Sequence, residues 1–226
     1  MVALRNRIVM VMCMLHWHLL ASLAVAFIPQ QWNPFANNKN SNNNQLDRTE
    51  DFLRLESLIQ QSQYGVVPDF SDEIHNLMTS ISNDQRNAMD DQRRQLLGQW
   101  ELIYTTEKEI NFFRTSWPFD QVRNITQTID VFEGGNLNNA INFAGGASFI
   151  VDGSVAPVDS EPAGDDVGSG YDRVKFEFET SAVTNLWGRT VALPPVGAGW
   201  FDTMYCDGNY RFSKDSRGSW SVFKKA

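Results

Sequence analysis

The chain has 226 residues, with 27 acidic against 19 basic side chains and a formal net charge of −8; such a surface repels phosphate backbones and argues against nucleic acid as a partner. The acidic balance also disfavours electrostatic adsorption to anionic bilayers, while apolar contact with lipid remains available. Only Cys13 and Cys206 occur, so no internal disulfide is expected in a mature domain that lacks the leader, and the length suits one core.

Arg5 and Arg7 precede an apolar stretch from Ile8 to Leu23, and Ala24-Val25-Ala26 has the small-x-small form of a signal-peptidase site. Residues 1–26 therefore read as a signal peptide. His16 and His18 interrupt the stretch and leave it short for spanning a bilayer of about 30 Å. Residues 27–45 carry no acid and are rich in Asn, Gln and Ser, a transit-peptide-like, low-complexity composition that cannot bury enough apolar area to fold. Together the two segments resemble the bipartite leader of plastids enclosed in the endomembrane system. Plastid (chloroplast) import is the expectation and secretion the alternative. Arg5, Arg7 and Lys39 are the only charges in the first 45 residues, so the remainder sets 16 basic against 27 acidic side chains.

Phe52, Leu55 and Ile59 recur at helical spacing and predict a helix from about Arg48 to Ser62, capped by Asp47 or Thr49 and ended by Gly65 and Pro68. Ser71, followed by Asp72 and Glu73, opens a second helix with Ile74, Leu77, Met78 and Ile81 on one face. Neither helix has the Lys/Arg-rich polar face of an interfacial helix, and the pair over 48–81 reads as a brace. From Gln99 the pattern is strand-like, with expected strands over 99–106, 122–132, 137–143, 148–151, 174–180, 183–187, 199–206, 210–213 and 219–223. Val174, Phe176 and Phe178 against Lys175, Glu177 and Glu179 make the clearest alternation. Eight or nine strands without intervening helices predict a mainly β chain, an antiparallel up-and-down β-barrel over 99–226. The segment from Asp152 to Gly170 reads as a loop. Its acids Asp159, Glu161, Asp165 and Asp166 lack the ligand order of a calcium loop. Leu193 to Gly197 reads as a rim loop.

Gly98-Gln99-Trp100 opens the first strand, and Arg211 stands on a late one; the pair resembles the closure device of lipocalin-like barrels, where an indole packs across the closed end beside an arginine. The longer strings GQWELIYTT and GWFDTMYCDGNYRFSKDSRGSWSVFKK resemble the two ends of the plastid lipid-associated protein family, the PAP/fibrillins. The resemblance runs from about Leu46 to the C-terminus, dense at the two ends and thin between. Gly199, Trp200, Phe201, Asp202, Thr203, Tyr205, Asp207, Arg211, Arg217 and Gly218 fall where that family places its characteristic residues. Cys206 and Tyr210 depart from its usual aliphatics, and Trp220 adds bulk near the last strand. The resemblance implies a plastid protein that binds or coats lipid at plastoglobules or thylakoids, without catalysis.

The residues themselves point the same way. His75 is the sole histidine beyond the leader, and no Gly-x-Ser-x-Gly, Cys-x-x-Cys or phosphate-cradling loop occurs. No catalytic residue, metal or cofactor is therefore expected. Asp202 and Asp207 read as ion-pair or turn-capping groups rather than an acid/base pair. Trp100, Tyr104, Phe176, Phe178, Trp187, Trp200 and Tyr205 lie on strand candidates. Those facing inward would either line an apolar cavity or fill the barrel. Tyr104, Phe176, Phe178, Trp187, Trp200 and Tyr205 are the ligand-binding candidates. Gly98, Trp100, Asp202, Asp207, Arg211, Arg217 and Gly218 are the structural ones. Two functions stay open: a non-enzymatic lipid-binding barrel for a prenylquinone, carotenoid or fatty acid, and a structural or interaction protein with a solid barrel that docks on lipid globules or a partner enzyme. A carotenoid-modifying enzyme is a third, for which no catalytic groups stand out.

Overall fold

Alternating apolar positions from Gly98 onward become nine strands in the computed structural model, which describes residues 43–85, 95–115, 121–130, 135–158, 172–185, 187–194 and 197–226. Residues 1–42 of the expected leader and most of the acidic loop lie outside the described residues, while the leader's last three residues, 43–45, are helical. The strands are β1 (Gly98–Thr105), β2 (Val122–Asp130), β3 (Asn136–Phe143), β4 (Ser148–Pro157), β5 (Asp172–Thr184), β6 (Thr190–Leu193), β7 (Gly197–Cys206), β8 (Tyr210–Asp215) and β9 (Trp220–Lys225). Among the described residues three α-helices accompany them: α1 (Asn43–Gln61), α2 (Ser71–Gln85) and α3 (Lys108–Thr115).

The sheet order β4-β3-β2-β1-β9-β8-β7-β5 closes on itself through β4–β5 pairing, giving an antiparallel barrel of eight strands. β5 is the longest strand because it serves three neighbours. One edge runs along β4; the other pairs first with β7 over 172–178 and then with β6 over 181–184. The two short strands expected over 174–180 and 183–187 are thus one, and β6 is an added hairpin arm. Gly153 in β4 faces the register shift against β5, where an added Cβ would stand 2.1 Å from the Glu177 carbonyl oxygen. Only glycine allows that approach.

Two apolar cores lie on opposite sides of the barrel wall. The inner one joins Leu96, Trp100, Leu102, Ile125, Ile129, Leu137, Ile141, Val155, Val174, Phe201, Cys206 and Phe223. The outer one places Leu55, Leu58 and Ile59 of α1 and Ile74, Leu77, Met78 and Ile81 of α2 against Tyr104, Tyr205, Phe212 and Val222. The helices therefore cover the outside of β1, β9, β8 and β7. Phe52 stacks on Tyr210 at 4.5 Å and His75 on Trp220 at 5.1 Å, so rings from both helices tie them to the wall. Lys224 also binds Glu56 of α1 at 2.8 Å.

A backbone device joins helices, barrel and α3. After α1 the chain turns through Gln63 and Tyr64 at positive φ and Gly65 at φ +98°, where a Cβ would lie 2.0 Å from the Thr105 carbonyl oxygen. Asn111 of α3 donates to the Gly65 and Thr105 carbonyls at 2.9 and 3.0 Å, and Arg114 donates to those of Tyr64 and Leu102 at 2.7 and 3.1 Å. Burial pulls the Arg114 guanidinium down to about 10, where it remains charged at neutral pH. Eight residues make too few intrahelical bonds to hold a helix alone. These side-chain bonds to main-chain carbonyls supply the difference.

Candidate functional site: the barrel interior and its mouth

Trp100 and Arg211 occupy one end of the barrel. Trp100 is fully buried and donates its Nε1–H to the Leu96 carbonyl at 2.8 Å. The Arg211 guanidinium, also fully buried, stands 5.4 Å from the Trp100 ring centre and 3.9 Å from that of Phe223. Lys225 sets its ammonium 4.3 Å from the same indole and donates to the Leu97 carbonyl. Two cations therefore share one aromatic ring, and among the described residues no carboxylate pairs with Arg211.

The interior above this floor has a polar strip. Arg211 Nη2 donates to Gln127 Oε1, and Gln127 Nε2 donates to Asn139 Oδ1 at 3.0 Å. Gln127 pairs in register with Trp100 on β1 and with Asn139 on β3, so all three project inward from neighbouring strands. Desolvation lowers the Arg211 pKa to about 9, which leaves the group cationic at neutral pH. Its Nε and Nη1 have no hydrogen-bond partner, nor does the buried hydroxyl of Thr203 on the adjoining strand β7. Thr105 and Ser221 do satisfy each other, at 3.0 Å.

The opposite end is aromatic and half-exposed. Phe143, Phe149, Phe176 and Phe178 line it from β3, β4 and β5, and α3 adds Ile110 and Phe113. Phe113 stacks on Phe149 at 6.0 Å and meets Phe143 at 6.3 Å. Phe176 lies 4.9 Å from Phe178 and 6.3 Å from Phe201, which carries the apolar lining down toward the floor. Gly199 faces Phe176, whose ring carbon would approach an added Cβ to 2.9 Å. The interior thus has a cationic floor, a polar strip and an apolar mouth under a short helix.

The sequence candidates divide among three places. Phe176 and Phe178 line the interior. Tyr104 and Tyr205 lie in the outer core beneath the helices, fully buried, because register shifts between Leu102 and Tyr104 and between Thr203 and Tyr205 turn each strand over by one residue. Trp200 is also on the outer face: the Arg173 guanidinium lies 3.7 Å from its ring centre and grips Asp202 through bonds of 2.7 and 2.9 Å. Trp187 follows β5 in a turn, 76% exposed.

Asp207 caps the β7–β8 turn, accepting the Asn209 and Tyr210 N–H groups at 2.9 and 2.8 Å and the Tyr205 hydroxyl at 2.8 Å. That bond and burial together raise the Tyr205 pKa, burial contributing most. Arg217 sits among Glu107, Glu109 and Asp215 at 3.4, 3.2 and 3.6 Å, with Gly218 at φ +82° in the same turn. Cys206 is wholly buried and burial pushes its thiol up, so it packs as a small hydrophobe. Sequence reasoning passed over Gln127, Asn139, Phe143 and Phe149. Gln127 was within reach, since it falls between the inward Ile125 and Ile129 at period two.

A closed up-and-down barrel with an indole-and-guanidinium floor and an apolar mouth defines a lipocalin-like protein. The chain belongs to the PAP/fibrillin family: the family model described as PAP_fibrillin matches residues 54–224. It is 33% identical over 163 residues to "Probable plastid-lipid-associated protein 11, chloroplastic" of Arabidopsis thaliana, covering 70% of this chain and 69% of that one. No solved structure matches it.

Proposed function

We propose that this chain is a plastid lipid-associated protein that holds one apolar lipid in its barrel without chemically changing it. The carrying observation is the ring-lined mouth of Phe113, Phe143, Phe149, Phe176 and Phe178, which leads to an interior of apolar side chains. Burying roughly 400 Å² of ligand hydrocarbon at about 25 cal/mol per Å² gives about 10 kcal/mol before ordering costs. Ordering costs of about 4 kcal/mol or more leave an affinity on the order of tens of micromolar or weaker. Family membership and the chloroplastic relative support the plastid setting, as does the two-part leader read from the sequence.

The test is uptake of diphenylhexatriene, a neutral apolar fluorophore, by the full chain, together with extraction and mass spectrometry of protein from its native source. Saturable uptake and a co-purifying apolar lipid are expected. Phe149→Glu places a charge at the half-exposed mouth and is expected to weaken uptake at least about tenfold, with an unchanged far-ultraviolet circular dichroism spectrum. No uptake and no extracted lipid would mean a solid barrel.

A second reading, docking of the outer surface on a lipid globule or membrane, is favoured by the β5–β6 hairpin. It presents Trp187 and Val191 at 76% and 58% exposure beside Arg189. Tryptophan of this kind suits the polar–apolar boundary of a lipid surface. Flotation with phosphatidylcholine vesicles is expected to carry the chain upward, and Trp187→Ser to reduce the floated fraction several-fold. Equal flotation of the two proteins would remove the hairpin from this role.

A further inference from the structure

Arg211 is a costly side chain to bury. Its guanidinium is fully buried, faces the rings of Phe223, Trp100 and Phe201 at 3.9, 5.4 and 5.5 Å, and spends one N–H on Gln127. The Nε–H and both Nη1–H bonds have no acceptor. A buried donor left unmade is unfavourable, and a buried charge without a counter-charge more so. Aromatic faces partly offset the charge but accept no strong hydrogen bond. The Thr203 hydroxyl is buried and unpartnered as well, one strand away from Arg211 on β7. Gln127 cannot turn its amide to help further, because Asn139 already accepts from it.

What completes such a group is a small anion. Water would satisfy the N–H bonds and leave the charge; an alcohol, ester or quinone oxygen would do the same. A carboxylate answers both needs through charge-assisted bonds. The apolar lining decides what the carboxylate is attached to: from Gln127 to Val122 at the top of β2 the strand covers about 16 Å, ending among the half-buried phenylalanines. An eight-stranded barrel not filled by its own side chains holds one small ligand, so a single hydrocarbon chain fits better than a two-chain lipid.

We propose that Arg211 anchors the carboxylate of a single-chain amphiphile of the fatty-acid class, with its hydrocarbon directed to the Phe149 and Phe176 mouth; the proposal rests on the lipid-holding reading above. Gln127 fixes the guanidinium from one side and leaves its free N–H groups for the headgroup. The protein's own net charge of −8 repels fatty acids from its surface, so a preference for the acid over its neutral analogue must arise inside.

The experiment uses the full chain stripped of lipid and loaded with diphenylhexatriene, and compares displacement by oleate and by oleyl alcohol. Oleate carrying a ¹³C-labelled carboxyl group is then titrated in the bound state by NMR. Expected are displacement by oleate at a concentration at least about tenfold lower than by oleyl alcohol and a bound carboxyl that stays ionised below the usual carboxylate range. Arg211→Gln is expected to abolish the preference while retaining affinity for the alcohol. Should that variant not fold, the acid-against-alcohol comparison on the unaltered chain decides alone. Equal displacement by acid and alcohol overturns the anion site and leaves the lipid-holding barrel standing. Failure of the fluorophore, the acid and the alcohol to bind removes both.

Discussion

Trp100→Ala lowers the free energy of unfolding by about 3–5 kcal/mol, the range for deleting a fully buried large aromatic ring. The indole has no solvent exposure and fixes Leu96 through its Nε1–H bond of 2.8 Å. It also presents π faces to Arg211 and Lys225 at 5.4 and 4.3 Å. Alanine leaves a void at the closed end and exposes the Arg211 cation to it. For a domain whose net stability is on the order of 5–15 kcal/mol, this is a large fraction. Urea denaturation followed by circular dichroism measures it. Trp100→Phe keeps a ring and loses the N–H, and is expected to cost about 1–3 kcal/mol. A loss under 1 kcal/mol for alanine would mean that the barrel closes without its indole.

The same closed end explains what was legible beforehand. A Gly-x-Trp at the start of β1 and an arginine late in the chain are local strings, and strand pairing places them together regardless of what lies between. The Val174, Phe176, Phe178 alternation likewise survives folding because β5 holds its register against β7 from Asp172 to Phe178. Tyr104 and Tyr205 could not be placed by counting. Each lies just beyond a register shift, and one inserted residue sends every later side chain to the other face. The shift is what allows both tyrosines to meet α1 and α2 while Trp100 and Phe201 still point inward. Helix α3 was hidden for another reason: its stability comes from Asn111 and Arg114 binding carbonyls of the α1–α2 turn and of β1, contacts up to about fifty residues apart in sequence that no local periodicity records. Glu107 and Asp215 meet beside Arg217 in a cluster that only the β8–β9 turn creates, so no local pattern in the sequence records it.

That cluster carries the second large effect, a loss of stability as pH rises from about 4.5 to 7. Burial, and then a hydrogen bond to Asp215, push the Glu107 carboxyl up to about 7 against an unfolded value of 4.5, with Arg217 opposing. Asp215 cannot retreat: its Oδ1 accepts the Arg217 and Ser219 N–H groups at 2.9 and 2.8 Å. Glu107 therefore keeps its proton in the folded chain over a pH range where the unfolded chain has released it. The folded state binds more protons, so the slope of unfolding free energy with pH is negative between the two values and vanishes above the upper one. At about 1.4 kcal/mol per unit, the full effect is on the order of 3 kcal/mol. His75 opposes it, because burial lowers its pKa and favours folding as pH rises through the same range. A difference measurement isolates the carboxyl. Glu107→Gln keeps a donor for Asp215, while Glu109 and Asp215 still flank Arg217. The variant is expected to match the parent near pH 4.5 and to exceed it by about 2–3 kcal/mol at pH 8 in urea denaturation. Parallel stability curves for the two proteins from pH 4.5 to 8 would show that Glu107 ionises normally and that Arg217 holds all three carboxylates as charged partners.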